Sequence, residues 1–150
     1  MLNALQIEEM HKYLDDGDLQ QFISIFNLIP QSELYNFDYL IIEAVGQKQP
    51  HIVKFLMTQP IELSHRDDRA FKLACNEEFI EIINLFLNQP RCAHLGEDHG
   101  IIIEAYVERR SETLKTLFHN KKFRHHLERN SNFYHNQIQE HIMQEKIGAF

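Results

Sequence analysis

Cys92, His94 and His99 lie close enough together for one loop to present a thiolate and two imidazoles to a metal ion. A structural zinc site needs four ligands, and no fourth is spaced to complete this set, so neither a metal nor any other cofactor is expected. Cys75 or Cys92 paired with a histidine could serve as a nucleophile, but that chemistry also needs an orienting group and an oxyanion site. None of the GxSxG, HExxH, P-loop or GxGxxG motifs occurs. The carboxylate pairs Asp15–Asp16, Asp67–Asp68 and Glu77–Glu78 have the composition of acid–base dyads, yet their positions fit helix caps and solvated turns better. Residues 119–129 (HNKKFRHHLER) interleave bases with an aromatic, a combination that suits nucleic acid or an acidic protein. On a helix Phe123 and Leu127 would share the inward face and leave the basic residues as a solvated cap. The chain is therefore not expected to be an enzyme. Two alternatives stay open: a small thiol- or His-dependent hydrolase on a helical scaffold, and a nucleic-acid binder using 119–129.

The elements that would position these residues must come from 150 residues, 43% of them hydrophobic, enough to bury the core of one ordinary domain. Charged residues make up 25%, and no apolar run reaches the length of a membrane span, so no membrane partner is expected. The N-terminus lacks the basic and apolar regions of a secretory signal, so a cytoplasmic location is expected. The two cysteines match no CxxC or paired-ligand pattern and are expected as thiols. A net charge of −7 argues against nucleic acid, whose affinity comes from Lys and Arg that displace counterions. The acidity is uneven: residues 1–100 carry 16 acids against 7 bases, and 101–150 carry 6 against 8.

Self-similarity at a fixed period dominates the middle of the chain. His51–Pro60 (HIVKFLMTQP) recurs 30 residues later as Glu81–Pro90 (EIINLFLNQP), and Ile41–Ala44 aligns with Phe71–Ala74. With one inserted residue, 102–105 and 113–118 fit the same template, and 17–26, closing at Pro30, makes a fourth copy. Apolar residues within each copy fall three and four apart, the helical spacing. Helices this short are marginal alone and must be held by neighbours. Asp38, Asp68 and Asp98 recur where N-caps are expected, Asp18 with Gln21 reads as a capping box, and Pro50 suits a first helical turn. Pro30, Pro60 and Pro90 are read as closing the second helices. In 121–150, Phe123 and Leu127 precede an Asn130–Asn132 break, and Tyr134, Ile138, Ile142 and Met143 follow it at helical intervals, as in a terminal helix pair.

Residues 78–87 (EFIEIINLFL) resemble the second helix of an ankyrin repeat, 71–75 (FKLAC) the helix before it, and 16–19 (DGDL) the opening of a capping repeat. The resemblance covers roughly residues 8–120. It implies an all-α fold: an ankyrin-like helix–turn–helix solenoid of about four repeats (approximately 7–30, 38–60, 68–90 and 98–120) plus a C-terminal helical cap (121–150), in a single domain. The sequence departs from the family pattern in lacking the T-P-L-H signature and in keeping the turn glycine only as Gly17, with Lys48, Glu78 and Arg109 in its place. A period of 30–31, against the family's usual ~33, implies tight loops at 31–37, 61–67 and 91–97 rather than extended fingers. A different helical-hairpin solenoid fits the same spacing.

The resemblance also implies a role: binding another protein, as an adaptor or stoichiometric inhibitor, through the first helices and inter-repeat loops. On this chain those positions are Tyr35, Asn36, Phe37, His65, Arg66, Arg69, Lys72, His94, Glu97 and His99. Aromatic and arginine side chains are the expected anchors, Tyr35 with Phe37 and Arg66 with Arg69 first, although Phe37 could equally pack under its own loop. A monomer or weak oligomer is expected. Short chains of divergent repeats are also similar to effectors that intracellular bacteria deliver into host cells, which would make 144–150 (QEKIGAF) a candidate secretion signal.

Overall fold

Four residues that end a helix with positive φ set the architecture: Gly17 at 74°, Lys48 at 53°, Glu78 at 55° and Arg109 at 58°. They are the positions at which the repeat template calls for a turn glycine. The computed structural model describes residues 1–148, with side chains through Glu145; the end of the 144–150 tail lies outside the described residues. It holds ten α-helices and two 3-10 turns and, among the described residues, no strand: α1 (Ala4–Asp16), α2 (Leu19–Phe26), a first 3-10 turn (Gln31–Phe37), α3 (Leu40–Gly46), α4 (Pro50–Leu56), α5 (His65–Asn76), α6 (Ile80–Leu87), a second 3-10 turn (Pro90–Glu97), α7 (His99–Val107), α8 (Ser111–His119), α9 (Lys121–Asn130) and α10 (Asn132–Gly148). Residues 1–74 and those from 75 onward form two compact units.

Each left-handed residue lets the amides beyond a helix end turn back onto its last carbonyls. In α1, Gly17 N–H donates to Leu14 O and Asp18 N–H to Tyr13 O; after α3 the same pair runs from Lys48 to Val45 and from Gln49 to Ala44, and after α7 from Arg109 to Tyr106 and from Arg110 to Ala105. Side chains add a strap at equivalent places. Gln49 Nε2 donates to the Asp15 carbonyl at 3.0 Å in the first unit, and Arg110 Nη1 to Asn76 Oδ1 at 3.0 Å in the second. A non-glycine residue in this region pays roughly 1–2 kcal/mol, partly offset by the entropy that glycine adds to the unfolded chain. Glu78→Gly and Arg109→Gly are thus each expected to raise stability by about 0.5–1 kcal/mol in denaturant titrations; a loss in both variants would contradict this turn geometry.

The core follows the same period. Met10, Ile41, Phe71 and Ile102 are fully buried, as are Ala44, Ala74 and Ala105, where a small side chain lets helices approach. Phe22, Val53, Ile83 and Leu114 hold the equivalent place on the second helices. In the first unit α1 packs on α2 and α3 on α4, with Phe55 meeting the rings of Phe22 and Phe26 edge-on at 6.1 and 5.4 Å. In the second, α7 packs on α8, α6 meets α8, and α9 with α10 forms the terminal pair, α9 lying against α7 and α8. The buried Thr113 hydroxyl donates to the Cys75 carbonyl at 2.8 Å.

Local expectations fare unevenly. Asp98 caps α7 through Gly100 N–H, and Asp18 caps α2 through Gln21 N–H. Asp38 does not cap α3: its Oδ1 accepts the Glu62 amide at 3.0 Å and so pins the loop after α4. Asp68 ends a left-handed run, Arg66, Asp67 and Asp68 having φ of 54°, 58° and 59°, so the chain enters the regular part of α5 from the left-handed region rather than from the extended backbone usual at an N-cap. The reciprocal capping box lies at Asn3 and Gln6 rather than at Asp18 and Gln21. Pro50 does occupy the first turn of α4, but Pro30 and Pro90 open the two 3-10 turns instead of ending α2 and α6. Residues 31–37 and 91–97 are therefore helical turns. In α10 Ile138 and Ile142 are buried as expected, whereas Met143 is 55% exposed and His135, at 8%, takes a core place against Phe118.

Candidate partner-binding surface

None of the ten residues assigned to partner binding is spent in the core. In the first unit Tyr35 (70% exposed), Asn36, Arg66 and Arg69 project into solvent. Phe37 is half-buried with its ring 6.2 Å from Tyr39, so the loop keeps part of it. His65 is half-buried, and Lys72 reaches Asp67 Oδ2 at 3.1 Å across the left-handed turn. In the second unit His94 and Glu97 are exposed and His99 is half-buried.

The second unit joins two sets of residues that the sequence kept apart. The second 3-10 turn lies along α9 so closely that a Cβ on Gly96 would stand 2.7 Å from Lys122 Cβ, a distance only glycine tolerates. This approach makes an open groove of about 740 Å³ with His94 and Glu97 on one side and Lys122, His125, His126 and Arg129 on the other. Asn120 caps α9 through the amides of Lys122 and Phe123, and the burial of Phe123 and Leu127 turns the basic residues outward. His99 lies against His126 with ring centroids 5.1 Å apart and the rings tilted by 42°, and its Nδ1 is buried without a hydrogen-bond partner. With Phe123 buried, 119–129 lacks the stacking platform that single-stranded nucleic acid uses. Arg124 is also committed, donating to the Phe118 carbonyl at 3.3 Å. The residues were visible in the sequence; their juxtaposition was signalled only by a glycine inside an otherwise unremarkable loop.

Cys92, His94 and His99 are not brought into a metal-ligating set. Among the described residues, the group whose ligand atoms converge is Asp38, Glu62 and His65, all within 4.8 Å, a trio of two carboxylates and an imidazole absent from the sequence-level candidates. One Asp38 oxygen there is occupied by the Glu62 amide, and Glu62 Oε1 accepts from Ser64.

The thiols behave as core residues. Burial pushes the Cys75 thiol up to about 12, with Arg110 opposing the shift and Glu104 adding to it, so the nucleophilic thiolate is scarce near neutrality. In the native protein Cys75 is expected to resist iodoacetamide near pH 8 and to alkylate readily once urea unfolds the chain. Mass spectrometry reads both rates, and equal rates would show that the thiol is not held in the core.

One constellation escaped sequence reasoning altogether. His11 Nδ1 meets Glu43 at 2.7 Å and its Nε2 meets the Tyr39 hydroxyl at 3.0 Å, a carboxylate–imidazole–hydroxyl relay assembled from α1, α3 and the residue that precedes α3. Burial raises the Glu43 carboxyl, against the pull of His11, and burial together with the Glu43 charge raises the Tyr39 hydroxyl, keeping it protonated. A hydroxyl so held is a poor nucleophile.

No family profile, no curated protein and no solved structure matches the chain. The resemblance to ankyrin repeats therefore rests on the residues of 16–19, 71–75 and 78–87 alone.

Proposed function

We propose that the chain is an ankyrin-like helical-repeat module that acts by binding another protein, as adaptor or stoichiometric inhibitor, and performs no chemistry of its own. The observation that carries this reading is that six of the ten surface candidates are exposed and the other four half-buried, while the repeated apolar positions of both units are filled. Arg66 and Arg69, with Tyr35 on the same unit, offer charge and aromatic area without being needed for packing. The return of left-handed turn residues at a 30–31-residue spacing, with matching straps, supports the repeat assignment.

Affinity capture from the native cell, compared across variants, tests the role. Arg66→Glu with Arg69→Glu, and separately Lys122→Glu with Arg129→Glu, should leave helicity and melting near those of the parent, and at least one pair should remove a captured protein. Unchanged capture by both pairs contradicts the reading. A His-dependent hydrolase is the second reading, favoured by the Glu43–His11–Tyr39 relay alone; the thiol version is disfavoured by the burial of Cys75.

A further inference from the structure

We infer that the groove between the second 3-10 turn and α9 binds an acidic segment of a protein partner, and that its histidines make this binding tighten in mild acid. The inference rests on the protein-binding reading and deepens it by naming what one surface recognises. The first ground is charge. On a chain of net charge −7, the groove sets the permanent cations Lys122 and Arg129 against the single carboxylate of Glu97, and His94, His125 and His126 can each add a positive charge.

The second ground is geometry. Lys122, His125 with His126, and Arg129 follow one another at three- and four-residue intervals along one face of α9, a stripe about 10 Å long at ~1.5 Å per residue. An extended peptide advances roughly 3.3 Å per residue, so about three of its residues span the stripe. The groove's volume of about 740 Å³ leaves room for their side chains. Arg129 contributes a planar fork suited to a carboxylate, and Lys122 a mobile point charge.

On the 3-10 turn the remaining charged neighbour is Arg91, and on α9 they are Lys121, Arg124 and Glu128. From α7 come His99, against His126, and Asp98, engaged with the Gly100 amide; Glu104 faces Arg110. On α8 and α10, Lys115 binds Glu112 and Glu145, and His141 binds Glu145, while His119 and Glu140 are exposed and His135 packs on Phe118. Nucleic acid is the less fitting occupant, because the stripe is short, the aromatic beside it is buried and the rest of the chain is acidic.

The test is a fluorescence-anisotropy titration of the full chain against a labelled Glu-rich decapeptide, at about pH 5.5 and pH 7.5 and constant ionic strength. The peptide keeps most of its charge at both values, since glutamate titrates near ~4.3. Binding is expected at both, tighter by roughly three- to tenfold in acid. Lys122→Glu with Arg129→Glu should abolish it. The triple variant His94→Gln, His125→Gln, His126→Gln should lose the acid gain, its affinity for the peptide being the same at the two pH values. Absence of peptide binding, equal affinity for a single-stranded DNA decamer, or an acid gain that survives in the triple variant overturns the inference. If native-partner capture persists in those cases, the protein-binding reading still stands; if no variant changes capture, that reading falls independently. All five substituted residues are exposed or half-buried, and circular dichroism establishes that each variant folds.

Discussion

Replacing Phe22 by alanine should lower stability by about 3–5 kcal/mol, a large part of the 5–15 kcal/mol that holds a typical domain together. Phe22 is fully buried on α2, stacks on Phe26 at 5.8 Å and meets Phe55 edge-on at 6.1 Å, so truncation removes ring contacts to two neighbours and leaves a cavity between α2 and α4. The cost exceeds that of an ordinary surface change because short helices such as α2 and α4 are held by packing rather than by propensity. Urea titration followed by circular dichroism measures it. A loss below about 1 kcal/mol would mean that the ring is not packed as described.

Gly96→Ala is expected to damage the groove itself. The new Cβ would fall 2.7 Å from Lys122 Cβ and 3.6 Å from the Lys122 carbonyl carbon, atoms fixed to or near the α9 backbone that cannot swing aside like a side-chain end. The 3-10 turn must then lift from α9, at a cost of roughly 1–3 kcal/mol. His94 and Glu97 would move with it, and acidic-peptide affinity should fall at least tenfold. Gly17→Ala makes a useful contrast: the group its Cβ would meet is the end of the Gln49 side chain, so the penalty there comes from positive φ. Parent-like stability and peptide binding in Gly96→Ala would show that the two elements are not in close contact.

The repeat spacing made the turn positions and part of the core legible from residues alone. The alignment puts Ile41, Phe71 and Ile102 in one register, and burial adds Met10 to it; that Lys48, Glu78 and Arg109 keep the left-handed turn of Gly17 shows only in the backbone. What escaped sequence reasoning depends on partners distant in the chain. Asp38 has the right type and position for an N-cap, yet the Glu62 amide competes for its oxygen from 24 residues away. The left-handed run at 66–68 contains no glycine or asparagine that would announce it. Met143 is exposed although its spacing placed it inward, and His135, to which no role was assigned, fills a core place against Phe118. His11, Tyr39 and Glu43 give no sequence cue to their relay, since its members come from α1, α3 and the residue that precedes α3.

The candidate surface divides in the same way. The resemblance to ankyrin repeats singled out His94, Glu97 and His99 as loop and helix-start surface residues, and composition singled out 119–129 as basic. Gly96 is what unites them, through a packing distance that no single-sequence pattern encodes.

Amide chemical-shift mapping of the full chain with the Glu-rich decapeptide locates the binding surface most directly. Shifts concentrated at 93–97 and 122–129, growing between pH 7.5 and pH 5.5, are expected. Shifts centred on 35–37 and 65–72, or none at saturating peptide, would contradict the groove as the recognition surface.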